Sequence, residues 1–210
     1  MKKNLIVLVM SGYCMACLAQ SQTRTAALFN WNKNPYQNLW AQEGSQYLAA
    51  DDNSYAYSKS LSAGQSFLSL TLQDFRFHIP AGATIKSITV TARRFKKGTA
   101  SVKDYFATLV KAGSSLQTPS AYGVRWKDAR NYADAETRIT YSESGTGNNG
   151  GMNNQTFKWT PAIINDAGFG VRIDSYAPVG GSAIVYYDLI TITVVYAEGV
   201  GAPPAAKKSQ

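Results

Sequence analysis

The chain reads as an all-β protein, a single antiparallel sandwich of jelly-roll-like character with at most one short helix. Three observations predict it. Apolar residues recur at every second position in most apolar stretches, which puts them on one face of a strand. Helical periodicity is almost absent. Turn residues (Gly, Pro, Asn) separate the alternating stretches, as they do between antiparallel strands.

The elements follow in order. From Phe67, Leu68, Leu70 and Leu72 share one face, with Ser69, Thr71 and Gln73 on the other. The phase then slips: Phe75, Phe77 and Ile79 form the apolar set, opposite Arg76 and His78, which predicts a bulge near Gln73 or Asp74. Pro80 and Gly82 supply a turn. The next strand points Ile88, Val90 and Ala92 inward, and Ser87, Thr89, Thr91 and Arg93 outward.

Further strands are expected over 102–111, 138–142, 155–160, 169–175 and 183–197. The last alternates Ile190, Ile192, Val194 and Tyr196 with Thr191, Thr193 and Val195. A helical turn fits 161–166, with Thr160 as cap, Pro161 at the first position and Gly168 at the end. The stretch 142–154, holding GTGNNGGMNN, reads as a loop, and 199–210 as a flexible tail.

The first residues read as an export signal. Lys2 and Lys3 precede the apolar run 5–10, and small residues end at Ala19, where cleavage is expected. The run is broken by Ser11 and Gly12, too short for a transmembrane span. Lipidation at Cys14 or Cys17 is the competing reading, though Cys14 follows Tyr13, and Cys17, with Ala16 before it, has Met15 and Cys14 further back, a poor match to a lipidation signal. The expected domains are a signal peptide at 1–19, an aromatic segment at 20–60 packing on the sandwich, the sandwich at 61–198 and the tail at 199–210. The expected location is secreted: extracellular, cell surface or periplasmic.

Loss of residues 1–19 removes both cysteines, which excludes thiol nucleophiles, zinc–thiolate sites and disulfides from the mature chain. The net charge falls from +8 to +6, leaving 19 basic against 13 acidic residues. That surplus serves solubility and favours anionic surroundings such as acidic polysaccharide or lipid headgroups. No nucleic-acid motif is present, so nucleic acid is not an expected partner.

LQDFRFHIPAGATIKSITVTARR, WTPAIINDAGFGVRI and YYDLITITVVY occur in this order. Together they resemble a β-sandwich module of secreted bacterial proteins and phage tail-associated proteins. In that module a strand ends in IP-x-x-A-T-I, a W-T-x-x-x-I-N segment precedes F-G-V, and D-x-I-x-I-x-V-x-Y closes the sheet. The resemblance covers roughly 66–196 with a lead-in from Trp31, and departs most over 111–155. It implies an accessory, adhesion or assembly part, and no catalytic residue set.

The chemistry present is sparse. His78 is the only histidine and alternates with inward residues, so it reads as a surface side chain rather than a base. Among carboxylates, Asp188 interrupts an apolar run and, counted by twos, shares a face with Tyr186 and Ile190. Asp104 sits among strand residues. Each reads as a structural polar group tied to backbone or arginine, or the two as an acid/base pair for glycoside chemistry. Asp51 and Asp52, in DDNSYAYS, are weak calcium candidates, against a plain Asx-rich turn.

Arg93, Arg94, Lys96 and Lys97 close a strand, and alternation sends the two arginines to opposite faces, so they form no single anion clamp. Trp31, Tyr36, Trp40, Tyr55, Tyr57 and Trp126 are the candidate ligand-binding residues. Rings among amides suit a glycan and equally suit packing; Tyr47, Tyr122, Tyr132 and Tyr141 raise the same question.

The function expected is a non-catalytic binding or adhesion module acting on a glycan or a surface protein, without cofactor. The alternatives are a structural subunit that self-assembles into a fibre or complex, and a glycan-active enzyme using a carboxylate pair.

Overall fold

The computed structural model describes residues 19–30, 40–62, 67–111, 125–126, 131–144 and 159–198. Its strands are β1 (Ala19–Thr25), β2 (Leu28–Asn30), β3 (Trp40–Gln42), β4 (Ala56–Ser58), β5 (Leu61–Ser62) and β6 (Phe67–Gln73). They continue with β7 (Thr84–Gly98), β8 (Ser101–Val110), β9 (Arg125–Trp126), β10 (Thr137–Ser144), β11 (Gly170–Val179) and β12 (Ser182–Ala197). All pairings are antiparallel, in two sheets. The seven-stranded sheet runs β10-β7-β12-β4-β3, with β1 and β5 also on β12; the five-stranded sheet runs β2-β6-β11-β8-β9. The expected sandwich is therefore the fold. Its helical content among the described residues is a 3-10 turn at Ser45–Leu48 and one α turn, α1 (Pro161–Ile164). No described helix is long and apolar enough to cross a membrane.

The two long strands carry the expected alternation. On β7, Ile88, Val90 and Ala92 are wholly buried, and on β12 so are Ile190, Ile192 and Val194. Leu68, Leu70 and Leu72 of β6 face them from the other sheet at 0–1% exposure. β12 pairs with β7 along most of its length, and its other edge is shared by β5, β4 and β1. The register slips between Tyr187 and Ile190, where the two residues Asp188 and Leu189 are set against the single residue Arg93. That bulge reverses the phase of β12: Val185 and Tyr187 point inward before it, Ile190 and Ile192 after it.

The phase slip near Gln73 has another cause than the expected bulge. β6 ends at Gln73, and Asp74 and Arg76 take left-handed φ of 56° and 52°, so the chain leaves the sheet. Phe75, Phe77 and Ile79 are still buried, with Phe77 packed edge-on against Phe169 at 6.0 Å. A segment without ladder partners needs others for its backbone groups. Gln22 supplies them to His78, accepting from its N–H (3.1 Å) and donating to its C=O (2.9 Å). Asn165 does the same for Ile79, at 2.8 Å each way. Two amide side chains replace a strand.

The WTPAIIN and FGV residues hold this corner. Thr160 caps α1, accepting from the Ile163 N–H, and Pro161 takes its first position. The turn stops at Asn165, earlier than Gly168. Trp159 is buried against Phe169 at 5.5 Å, and neither it nor Thr160 is in a strand, contrary to the strand expected over 155–160; 155–158 lie outside the described residues. Gly170 cannot carry a side chain, since a Cβ there would meet the Leu72 carbonyl oxygen at 1.8 Å.

The segment 20–60 does more than pack on the sandwich. It contributes β1, β3 and β4 to one sheet and β2 to the other. The signal peptide, most of the 142–154 loop and the 199–210 tail lie outside the described residues.

Candidate functional site

The outer face of the seven-stranded sheet collects aromatic side chains that the sequence scatters over 130 residues. Tyr57 on β4 is in register with Tyr186 on β12, and Tyr186 with Phe95 on β7. Because these are direct cross-strand partners, their rings stand side by side. Tyr57 and Tyr186 stack at 5.6 Å, and Tyr186 and Phe95 at 4.6 Å with planes only 7° apart. Tyr55 closes on the row edge-on, 5.2 Å from Phe95 and 6.0 Å from Tyr186. The ammonium of exposed Lys97 lies 5.8 Å and 5.6 Å from the Phe95 and Tyr186 ring centres. Phe95 is buried, while Tyr55, Tyr57 and Tyr186 are half-buried and give the row its solvent-facing edges beside a cation.

Beside this row lies a charged ridge. Arg93 of β7 pairs with Asp51 and with Glu136, 2.7 Å away. Asp188, at the β12 bulge, is completely buried, beside the backbone of Asp52 and Asn53. Burial and the neighbouring Glu136 carboxylate hold its pKa above the ordinary carboxylate range. The backbone N–H groups of Asp52 and Asn53 and the Arg93 guanidinium oppose that shift, but neither carboxylate oxygen makes a well-formed hydrogen bond. Asp52 accepts from the Ser54 N–H at 2.9 Å, an Asx turn, and Asn53 sits at φ 63°. Asp51 is thus engaged with an arginine and Asp52 with a turn. Among the described residues no group of three His, Cys, Asp or Glu side chains is placed to hold a metal.

Arg94, pointing the other way, enters the core. It is fully buried and donates to both Asp104 oxygens, with Nη2 at 2.8 Å from Oδ2, and to the Tyr141 hydroxyl at 2.9 Å. Tyr141 in turn donates to Asp104 at 2.6 Å, and the guanidinium lies 3.9 Å over the Tyr132 ring. The Tyr132 hydroxyl bonds Tyr187 and, at 2.5 Å, Ser175. Burial pushes all three phenols above the ordinary tyrosine range, so they stay neutral. For Arg94, burial works against the charge but is outweighed by the facing Tyr132 and Asp104, and the guanidinium stays protonated. The network joins β7, β10 and β12 of one sheet to β8 and β11 of the other.

The predicted residues therefore separate. Tyr55 and Tyr57 lie together in the outer row. Trp40 does not: at 4% exposure it is core, donating its indole N–H to the Ser69 carbonyl (3.1 Å) and packing on Phe29 and Tyr187. Tyr132 and Tyr141 are core as well. Trp126 is placed on β9, in register with Ala107 at the border of the five-stranded sheet. Trp31, Tyr36 and Tyr122 lie outside the described residues. His78 is exposed, as expected.

Asp104 and Asp188 do not face each other. Counting by twos joined Asp188 to Tyr186 and Ile190, but the bulge separates those two residues onto opposite faces, and Asp188 meets 51–53 outside the sheet while Asp104 is sealed inside.

Sequence reasoning passed over Tyr186 and Phe95. A signal existed: Phe95 continues the outward series of Arg93, and Lys97 follows it. Its partner Tyr186 was hidden by the bulge.

No family model and no curated protein matches the chain. Several solved structures are similar to it at low identity. One, described as "CBM4 structure and function", is 11% identical over 68% of this chain and 72% of that one, with a TM-score of 0.36. The CBM22-1 xylan-binding domain from Paenibacillus barcinonensis Xyn10C is 8% identical over 82% and 92%, at 0.40. The tripod (BppUct-A-L) from the baseplate of bacteriophage Tuc2009 is 9% identical over 91% and 67%, at 0.33. No residue role is carried over from them.

Proposed function

We propose that the chain is a non-catalytic binding module, exported to act at a cell surface, which holds a glycan at the outer aromatic row. One observation carries the reading: Tyr57, Tyr186 and Phe95 form a stacked row with Tyr55 and Lys97 on an outer sheet face. Such a row offers apolar ring edges, phenol hydroxyls and a cation, groups that can contact and hydrogen-bond a sugar. The carboxylates beside it are covered or ion-paired.

The test is a glycan array probed with the purified chain, followed by titration of any hit against Tyr57→Ala. Tyr57 is half-buried on a three-residue strand, so the variant should fold. A hit weakened about tenfold or more, equivalent to ~1.4 kcal/mol, is expected. A hit indifferent to Tyr57→Ala removes the row from the binding site.

A further inference from the structure

The rest of the outer face of the seven-stranded sheet is built differently. Across β1, β12, β7 and β10, one rank of direct partners is Thr25, Thr191, Thr91 and Thr140. The next is Thr23, Thr193, Thr89 and Ser142. Every one of these eight positions bears a hydroxyl, and all are half-buried or exposed. The hydroxyls of Thr23 and Thr193 meet at 2.8 Å, which confirms that they share a face. Neighbours within a rank are ~4.8 Å apart and the ranks ~6.7 Å apart, by strand spacing and rise.

No charge falls in either rank, although the chain carries 34 charged residues and soluble surfaces ordinarily intersperse both signs. Charge resumes one rank further on, at Arg93 and its partner Arg138, and Arg93 is neutralised by Asp51 and Glu136.

We propose that this uncharged hydroxyl face is a second contact surface for an uncharged polysaccharide chain; the inference rests on the glycan reading above and narrows its substrate class. Threonine and serine hydroxyls both donate and accept, as sugar hydroxyls do, and threonine methyls offer small apolar patches to sugar C–H groups. No cation in the ranks would single out a carboxylate or sulfate on the ligand. The two ranks themselves hold none of the Trp, Tyr and Arg anchors by which protein partners are usually held. It spans four strands, so it suits a polymer rather than a single sugar. Overall basic charge had favoured acidic polysaccharide; the two ranks themselves carry none of that charge.

Calorimetric titration of the full chain with cellohexaose, xylohexaose and hexagalacturonate tests this, using Tyr57→Ala and the double variant Thr89→Val/Thr193→Val. Valine keeps the β-branched shape and removes only the hydroxyl. Binding of a neutral hexasaccharide, weakened about tenfold in the valine pair with an unchanged melting temperature, is expected. Undiminished binding by the valine pair overturns the inference while leaving the aromatic reading intact if Tyr57→Ala still weakens it. Preference for hexagalacturonate refutes the uncharged class. A dimer that the valine pair dissolves assigns the face to a second copy instead. Binding of none of the three probes refutes the inference, and the array then decides the aromatic reading separately.

Discussion

Replacing Asp104 with Asn would leave the Arg94 guanidinium charged and without its counter-ion in the middle of the sandwich. Arg94 is 0% and Asp104 2% exposed, so water reaches neither. The carboxylate now takes two donors from Arg94 and one from Tyr141. Breaking a buried pair by removing one partner costs about 3–5 kcal/mol. Against the ~5–15 kcal/mol total of an ordinary domain, that is about a fifth or more of all stability. With a urea dependence of ~2 kcal/mol per M, the unfolding midpoint should fall by roughly 2 M.

Removing both charges is a different perturbation. Arg94→Met/Asp104→Leu leaves no unpaired ion and should recover most of the loss, since apolar replacement of a buried pair is often neutral or better. Urea denaturation followed by tryptophan fluorescence measures both. A midpoint for Asp104→Asn within ~0.5 M of the parent, or a double variant no better than the single one, would refute the assignment of this pair as a closed, water-free ion pair.

Two further outcomes follow from residues described above. Asp188 binds its proton more tightly when folded than when unfolded, so it withdraws stability as pH rises through the interval between its ordinary value and its raised folded one. Asp188→Asn should therefore unfold at higher denaturant than the parent at pH 7, with the advantage vanishing below the ordinary carboxylate range; a pH-independent difference between the two unfolding curves contradicts this. Asn165→Ala strips both backbone groups of buried Ile79 of their partner and should cost about 2–4 kcal/mol. Hydrogen exchange should show the Ile79 amide losing protection while the β6 amides keep theirs, and unaltered Ile79 protection would show that the amide clasp is not what holds the segment.

The sandwich was legible because burial on one face writes itself into alternate positions. Leu68, Leu70 and Leu72, or Ile190, Ile192 and Val194, need no tertiary information to be placed inward. What alternation cannot express is the residue where it fails. The bulge at Asp188 and the left-handed Asp74 and Arg76 each reverse the phase, and a phase error sends a side chain to the wrong side of a sheet. Asp188 was misplaced for this reason, and Tyr186 passed over. Arg94 fell on the inward series of Ile88, Val90 and Ala92, but a charge at an inward position becomes intelligible only once Asp104 and Tyr141, on two other strands, are seen around it. The aromatic residues divided along the same line. Composition could say that rings and amides were abundant; only register could say that Trp40 faces Tyr187 inside while Tyr57 stacks on Tyr186 outside.

β12 has a consequence for how the molecule can be made. It is the last strand described, yet it holds β7 on one side and β1, β4 and β5 on the other. A chain that emerges from its N-terminus therefore has no partner for β1 or β5, and only β3 for β4, until residues 182–197 have appeared. Partial chains expose those strands with their edges open, the state most prone to pairing with the wrong neighbour. Assembly of the larger sheet must wait for residues 182–197, and a truncation before residue 182 should leave β7–β10 and β3–β4 as separate pairs with nothing to join them.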